Sequence, residues 1–352
     1  MNKILITGGA GYIGSHTCLV LLKNGFKVIV VDSFINSKKE SLKRVLEIIK
    51  ENYPYYEKNL SIKEGDIRDE NLLKEIFHEE KKVSPISAVV HFAGLKAVGE
   101  SCQNPLKYWD HNLNGAINLL KVMKENNCKN IIFSSSASIY CQQLGDCIDE
   151  ENPKNPSSPY GSTKYVIERL LQDLYVSDNK EWKIANLRYF NPIGAHSSGM
   201  IGEDPQGLPN NLFPLITKVA LGKKPFLQIF GNDWPTRDGT CIRDYIHVMD
   251  LAEGHSAVLN YLLKHSYQFL NLNLGTGKGT SVLELLRTFE DINKVKIPYK
   301  IIGRRNGDVA KLVADNQLAL KILNWNPKRD TRDMCKDGWT WQLNNPEGYR
   351  VN

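Results

Sequence analysis

Tyr160 and Lys164 stand four residues apart in the run Tyr160-Gly161-Ser162-Thr163-Lys164, at the head of a helical pattern. Residues i and i+4 share a helix face, so phenol and ammonium reach one pocket. A phenol is a poor base at neutral pH, because its ordinary pKa is about 10. Lowering it to about 7 takes roughly 4 kcal/mol of preference for the phenolate. One cation about 4–5 Å away, at an effective dielectric near 20, supplies roughly 3–4 kcal/mol. The expectation is a proton-transfer pair in which Lys164 lowers the pKa of Tyr160. The same spacing occurs in ordinary helix starts, so the assignment depends on its surroundings.

The elements that must position this pair are short apolar strands alternating with amphipathic stretches. Strands are expected at 4–7, 27–31, 88–91, 130–134 and 183–187, and helices from near Tyr12, Ser37, Asp69, Asn112 and Pro159. Such alternation indicates an α/β fold, a Rossmann-type doubly wound parallel sheet. After the first strand come Gly8, Gly11 and Gly14, spaced G-x-x-G-x-x-G. The first two let the backbone turn and approach a pyrophosphate, and the third allows close helix–strand packing. Tyr12 and Ile13 open the helix. Asp32 ends the second strand, where a carboxylate receives a ribose diol and repels a 2′-phosphate, so NAD is expected over NADP. Ser33, Phe34, Ile35, Asn36 and Ser37, which follow it, are also cofactor candidates. Asp66 and Ile67 end a further segment, placed for an adenine edge. Phe92, Ala93, Gly94, Leu95 and Lys96 form a close-approach loop, with Lys96 available to cofactor and substrate. Ligands of open α/β sheets lie outside these carboxyl ends.

Another strand delivers Ser134, Ser135 and Ser136 to the same edge. Ser136 is the candidate partner for a substrate hydroxyl whose proton Tyr160 takes or returns. Lys164 also becomes a candidate for the nicotinamide ribose.

These signatures resemble those of the extended short-chain dehydrogenases/reductases. The likeness is closer to the UDP-glucose 4-epimerases, through Tyr12-Ile13-Gly14-Ser15-His16, the run from His91 to Ser101, Leu187-Arg188-Tyr189-Phe190-Asn191-Pro192 and Arg243-Asp244-Tyr245-Ile246-His247-Val248. Gly202 to Gly207, Pro209-Asn210-Asn211-Leu212 and Ile229 to Asp233 also carry it. The resemblance implies interconversion of UDP-glucose and UDP-galactose, with tightly bound NAD oxidising C4 of the hexose and returning hydride to the opposite face. It implies Phe190 beside the cofactor, and Asn191, Asn211, Leu212, Gln228, Ile229, Phe230, Arg243, Arg305 and Asp308 around UDP. It implies that Leu312 gates the sugar's 2-substituent. Leu is intermediate in size there, so glucose and galactose are the expected sugars, with the N-acetylated pair as the alternative. His111 stands where the family usually has an Asn touching the cofactor. Cys141 and Asn306 also depart from the pattern. A homodimer is implied, with helices near Asn112 and Pro159 as candidate contacts. A 4,6-dehydratase would carry an acid pair just after Ser136; Ala137 and Ser138 stand there.

The chain has 352 residues, 41% hydrophobic and 24% charged, with net charge +6 from interspersed residues. That is an ordinary globular balance without the basic block of a nucleic-acid footprint. No stretch approaches the roughly 20 apolar residues of a membrane span. The seven cysteines form no C-x-x-C pair, so neither a disulfide framework nor a metal site is expected. A reducing, cytoplasmic location is expected. The domain reading is 1–190 for the NAD-binding domain, with part of 244–275 returning to it. The smaller C-terminal α/β substrate domain is 191–352.

Overall fold

The computed structural model describes residues 2–140, 147–178, 181–207, 211–305 and 307–350. Cys141, Pro209, Asn210 and Asn306 lie outside the described residues. Contacts divide the chain into two units. The first falls within 1–141, 153–188 and 252–272; the second within 142–152, 189–251 and 273–352.

In chain order the strands are β1 Lys3–Thr7, β2 Lys27–Asp32, β3 Leu60–Glu64, β4 Ala88–His91, β5 Asn130–Ser136, β6 Lys183–Tyr189, β7 Asn191–Ile193, β8 Leu227–Phe230, β9 Ile242–His247, β10 Gln268–Leu274, β11 Gly279–Ser281, β12 Tyr299–Ile302 and β13 Lys311–Leu312. The helices used below are α1 Tyr12–Lys23, α2 Lys39–Asn52, α3 Glu70–Lys81, α4 Val98–Gln103, α5 Pro105–Tyr108, α6 Gly115–Glu125, α7 Pro159–Ser177 and α8 Leu212–Ala220.

The first unit is built on a seven-stranded sheet ordered β10-β6-β5-β4-β1-β2-β3. β1, β2, β3, β4 and β5 pair in parallel. Every residue of β1 and of β4 is buried, which is why both read as continuous apolar runs rather than alternating ones. Order reverses between β1 and β4, where Thr7 pairs with His91; such a switch point opens a crevice at the strands' carboxyl ends. Leu5, Val89, Ile131, Phe133 and Ile184 share one core cluster with residues of α3, α6 and α7.

The strand end expected before Asp66 and Ile67 is that of β3. It is an edge strand with little full burial, so no apolar run marks it. β5 and β6 each run two residues further than expected, to Ser136 and Tyr189. The helix expected from near Asn112 is the end of a π-helical turn, Trp109–Asn114, continued by α6; the short helices α4 and α5 precede it. α7 starts where Pro159 occupies the first turn and the Ser158 hydroxyl accepts from Gly161 N at 3.2 Å. Proline suits that position because its missing N–H would have no helical partner there.

In the second unit, β9 pairs with β11, β13 and β7, and β8 pairs with β12 in parallel. Leu227, Ile229, Tyr245 and Leu286 belong to its own core.

Candidate active site

The glycine turn is shaped by what would collide with a side chain. A Cβ on Gly8, whose φ is +71°, would stand 2.7 Å from the backbone nitrogen of Ala93; one on Gly14 would stand 2.4 Å from the carbonyl oxygen of Gly8. Only glycine permits this approach. Gly11 caps α1 with no side-chain acceptor, so the helix's first N–H groups point into the turn and favour an anion. Asp32 is buried and accepts from Ala10 N at 2.9 Å, Phe34 N at 2.9 Å and Ser37 Oγ at 2.8 Å. One carboxylate therefore ties the glycine turn to the 33–37 loop. Phe34 adopts φ +54° there. Ser33, Ile35 and Asn36 lie in the same loop, with Ile35 well exposed. Tyr12 and Ile13 stand in the first turn of α1.

Asp66 stands just beyond the end of β3. Its carboxylate is engaged by Arg68 through Nη2 at 2.7 Å and Nε at 3.1 Å, which holds it below the usual carboxylate range. Ile67 is buried, and a Cβ on Gly115 would lie 2.6 Å from its Cδ1. Its side chain packs against Gly115 of α6.

Phe92 and Ala93 donate their N–H groups to Thr7 O at 3.0 and 3.1 Å. Gly94, Leu95 and the exposed Lys96 complete this loop. His91 is buried and bonds Thr7 Oγ1 through Nδ1 at 2.7 Å. Burial and the Lys164 charge push its pKa down to about 3.

His111 is not the residue turned toward that loop. Its Nδ1 bonds Lys107 O at 2.9 Å. Asn112 is turned there instead, buried, accepting from Leu95 N at 2.7 Å and donating to Leu95 O at 3.1 Å and Thr163 Oγ1 at 3.0 Å. Thr163 in turn donates to Tyr160 O at 2.7 Å. Both residues stand in the π-helical turn Trp109–Asn114.

Tyr160, Lys164 and Ser136 come together, but their electrostatics reverse the expectation. Lys164 Nζ donates to Ser134 O at 2.7 Å and lies 4.9 Å from the Phe133 ring centroid and 5.9 Å from that of Tyr160. Burial pulls its pKa from the ordinary 10.5 to about 8. Tyr160 keeps some exposed surface as a residue, yet its phenol is enclosed, and burial raises its pKa; the nearby Ser136 hydroxyl opposes the rise. Lys164 donates one of its three N–H groups to the strand carbonyl, and burial still leaves the phenolate disfavoured. Ser136 Oγ lies 3.0 Å from Ser138 Oγ and accepts from Ser138 N at 3.1 Å. Ala137–Ile139 follow as a 3-10 turn and supply no carboxylate.

In the second unit, Asp308 gathers two guanidinium groups. Arg305 donates to it through Nη2 at 2.8 Å and Nε at 3.2 Å, and Arg243 Nη2 approaches at 3.5 Å. Arg243 also donates to Val309 O at 2.8 Å. Arg305 sits 5.3 Å from the Phe230 ring centroid. Leu312, half-buried, pairs in register with Arg243. Asn191 pairs in register with Tyr245, and its Oδ1 is buried with no hydrogen-bond partner among the described residues. An unmet acceptor of this kind is costly unless a ligand serves it. On β8 the period of two separates the candidates: Gln228 is exposed, whereas Ile229 is 1% exposed and belongs to the core. Ile229 therefore has only backbone to offer. Asn211 and Leu212 stand at the start of α8, Asn211 exposed with its Nδ2 3.4 Å from Glu203 Oε1. Phe190 is buried, its N–H on Leu274 O at 3.4 Å.

A Rossmann-type sheet with a serine, a tyrosine and a lysine at its carboxyl edge is the architecture of a short-chain dehydrogenase/reductase. The family model described as GDP-mannose 4,6 dehydratase matches residues 5–338. UDP-glucose 4-epimerase 2 of Arabidopsis thaliana is 50% identical over 350 residues, covering 99% of this chain and 97% of that protein. A bifunctional protein of Pachysolen tannophilus is 48% identical, and the chain spans 50% of its length. The crystal structure of UDP-glucose 4-epimerase from Bifidobacterium longum in complex with NAD+ and UDP matches with a TM-score of 0.91 at 45% identity, covering 99% of this chain and 100% of that one. The chain belongs to the UDP-glucose 4-epimerase family.

Proposed function

We propose that the protein interconverts UDP-glucose and UDP-galactose, with NAD as its resident cofactor. The observation that carries this reading is the set of Tyr160, Lys164 and Ser136, with Lys164 Nζ 5.9 Å from the Tyr160 ring centroid and bonded to Ser134 O on the strand that ends at Ser136, in the same unit as a glycine turn that only a close backbone approach explains.

The fit to NAD rests on that turn, on the uncapped α1 N-terminus and on buried Asp32. Gly8, Gly11 and Gly14 would take the pyrophosphate, Asp32 the adenosine ribose, and the 92–95 loop with Lys164 the nicotinamide half. When bound, NAD supplies a reversible two-electron oxidation at C4 of the hexose. Tyr160 takes the proton of the C4 hydroxyl and later returns one. Ser136 orients that hydroxyl and favours the phenolate. The positive nicotinamide and the Lys164 ammonium both favour the phenolate, which the protein alone disfavours.

The second unit's residues hold the nucleotide. Arg243 and Arg305 pair with the diphosphate, as two guanidinium groups already gathered on one carboxylate can. Phe230 lies against the uracil, and Asn191 Oδ1 receives a substrate hydroxyl. Inverting C4 requires the sugar to present both faces, so binding must concentrate on UDP. Leu312 limits the 2-substituent, which makes the N-acetylated sugars the poorer pair. We place the protein in the cytosol as a homodimer; its described cysteines are free thiols, as a reducing compartment keeps them.

The test is incubation of purified protein with UDP-galactose and no added oxidant or reductant. UDP-glucose should accumulate to equilibrium without net NADH. Intact NAD binding with no conversion would sink the reading.

A further inference from the structure

A buried ionic network lies directly behind the proton-transfer groups. Glu168 and Arg188 are 5% and 2% exposed. Glu168 Oε1 accepts from Ser135 Oγ at 2.5 Å and Arg188 Nε at 3.0 Å; Oε2 accepts from Arg188 Nη2 at 2.7 Å. Arg188 Nη1 donates to the Tyr140 hydroxyl at 2.9 Å. Ser135 immediately precedes Ser136 on β5, and Tyr140 closes the 3-10 turn that follows it. Glu168 is four residues beyond Lys164 and eight beyond Tyr160 on α7, hence on the same helix face. Arg188 comes from β6.

We propose that this Glu168–Arg188 pair, with Ser135 and Tyr140, is a positioning device for the reaction: it grips the chain on both sides of Ser136 and fixes that serine against the helix carrying Tyr160 and Lys164. The proposal rests on the reading of Tyr160 as the proton-transfer group. A buried ion pair is poor value as a stabiliser, because well-packed apolar residues often do as well or better. What apolar packing does not supply is directed contact. Here four hydrogen bonds among four residues fix a single carboxylate and guanidinium geometry across β5, the turn after it, α7 and β6. None of the four residues touches the reacting atoms in this scheme; they act through Ser136 and Tyr160. Ser136 must stand close to the Tyr160 phenol to share a substrate hydroxyl with it, so a small shift of the strand end matters.

Glu168→Ala would strand a buried guanidinium and threaten folding, so the test uses Ser135→Ala and Tyr140→Phe, which leave the ion pair in place. Turnover of UDP-galactose by the NAD-loaded full chain is measured with kcat and KM separated, alongside the thermal midpoint. Misplacement of reacting groups by about 1 Å costs on the order of 10²-fold in rate; a partial slackening should lower kcat by about tenfold in each variant with KM within about twofold. Wild-type kcat in both variants overturns the proposal, whether or not the midpoint falls. So does a raised KM with unchanged kcat. If the unmodified protein fails to convert UDP-galactose, the functional reading fails first and takes this proposal with it.

Discussion

Replacing Lys164 by Met should abolish turnover and stabilise the fold at neutral pH. The ammonium is buried, and burial lowers its pKa from 10.5 to about 8. At 1.36 kcal/mol per pH unit that gap is a penalty of about 3 kcal/mol on the folded state. The sign follows from proton counting. Below pH 8 both folded and unfolded chains hold the proton, so the penalty is full. Between pH 8 and 10.5 the folded chain gives up the proton while the unfolded chain keeps it, and the penalty fades. Above 10.5 it is gone. Met keeps the length of the side chain but loses the hydrogen bond to Ser134 O, worth about 1 kcal/mol. The net expectation at pH 7 is about 2 kcal/mol in favour of the variant. Chemical unfolding of wild type and Lys164→Met, both stripped of nucleotide, should be compared at pH 7 and at pH 10. The variant should lead at pH 7, and most of its lead should vanish at pH 10. Taking the difference between proteins cancels the other titrating groups. A variant less stable at pH 7, or a lead that does not change with pH, would refute the assignment of a buried, destabilising ammonium.

Three further outcomes are expected. Tyr160→Phe should lower turnover by about 10²–10⁴-fold, the usual scale of one proton-transfer group, with NAD and UDP binding retained by calorimetry; near-normal turnover would remove Tyr160 as the base. Gly14→Ala places a Cβ 2.4 Å from the Gly8 carbonyl oxygen, so purified protein should carry little bound NAD, seen by absorbance after denaturation. Arg305→Ala removes a charge-assisted contact worth about 1.5–3 kcal/mol and should weaken UDP binding by roughly 10–100-fold; an unchanged dissociation constant would place the diphosphate elsewhere.

Much of the site was legible because its signals are local. Gly8, Gly11, Gly14 and Asp32 lie within one strand–turn–helix–strand run, and Tyr160 and Lys164 lie within one helical turn. Other features depend on contacts between residues far apart in the chain. Arg243 and Arg305 are recognisable as cations, but only folding brings both to Asp308. Glu168 and Arg188 carry no motif that ties them to Ser135, since the tie runs through three elements. Gln228 and Ile229 could have been separated by strand alternation, had β8 been recognised.

By itself, then, the sequence determined the sheet, the cofactor turn and the identity of the chemical groups, because helix and strand periods act over a few residues. Tertiary structure decided that Asn112 ties Leu95 to Thr163, because those contacts join residues far apart in the chain. It also decided the protonation balance. A pKa is set by burial and by what each charge already bonds. Lys164 is buried with one N–H on the Ser134 carbonyl, and Tyr160 sits in an enclosure that disfavours its phenolate.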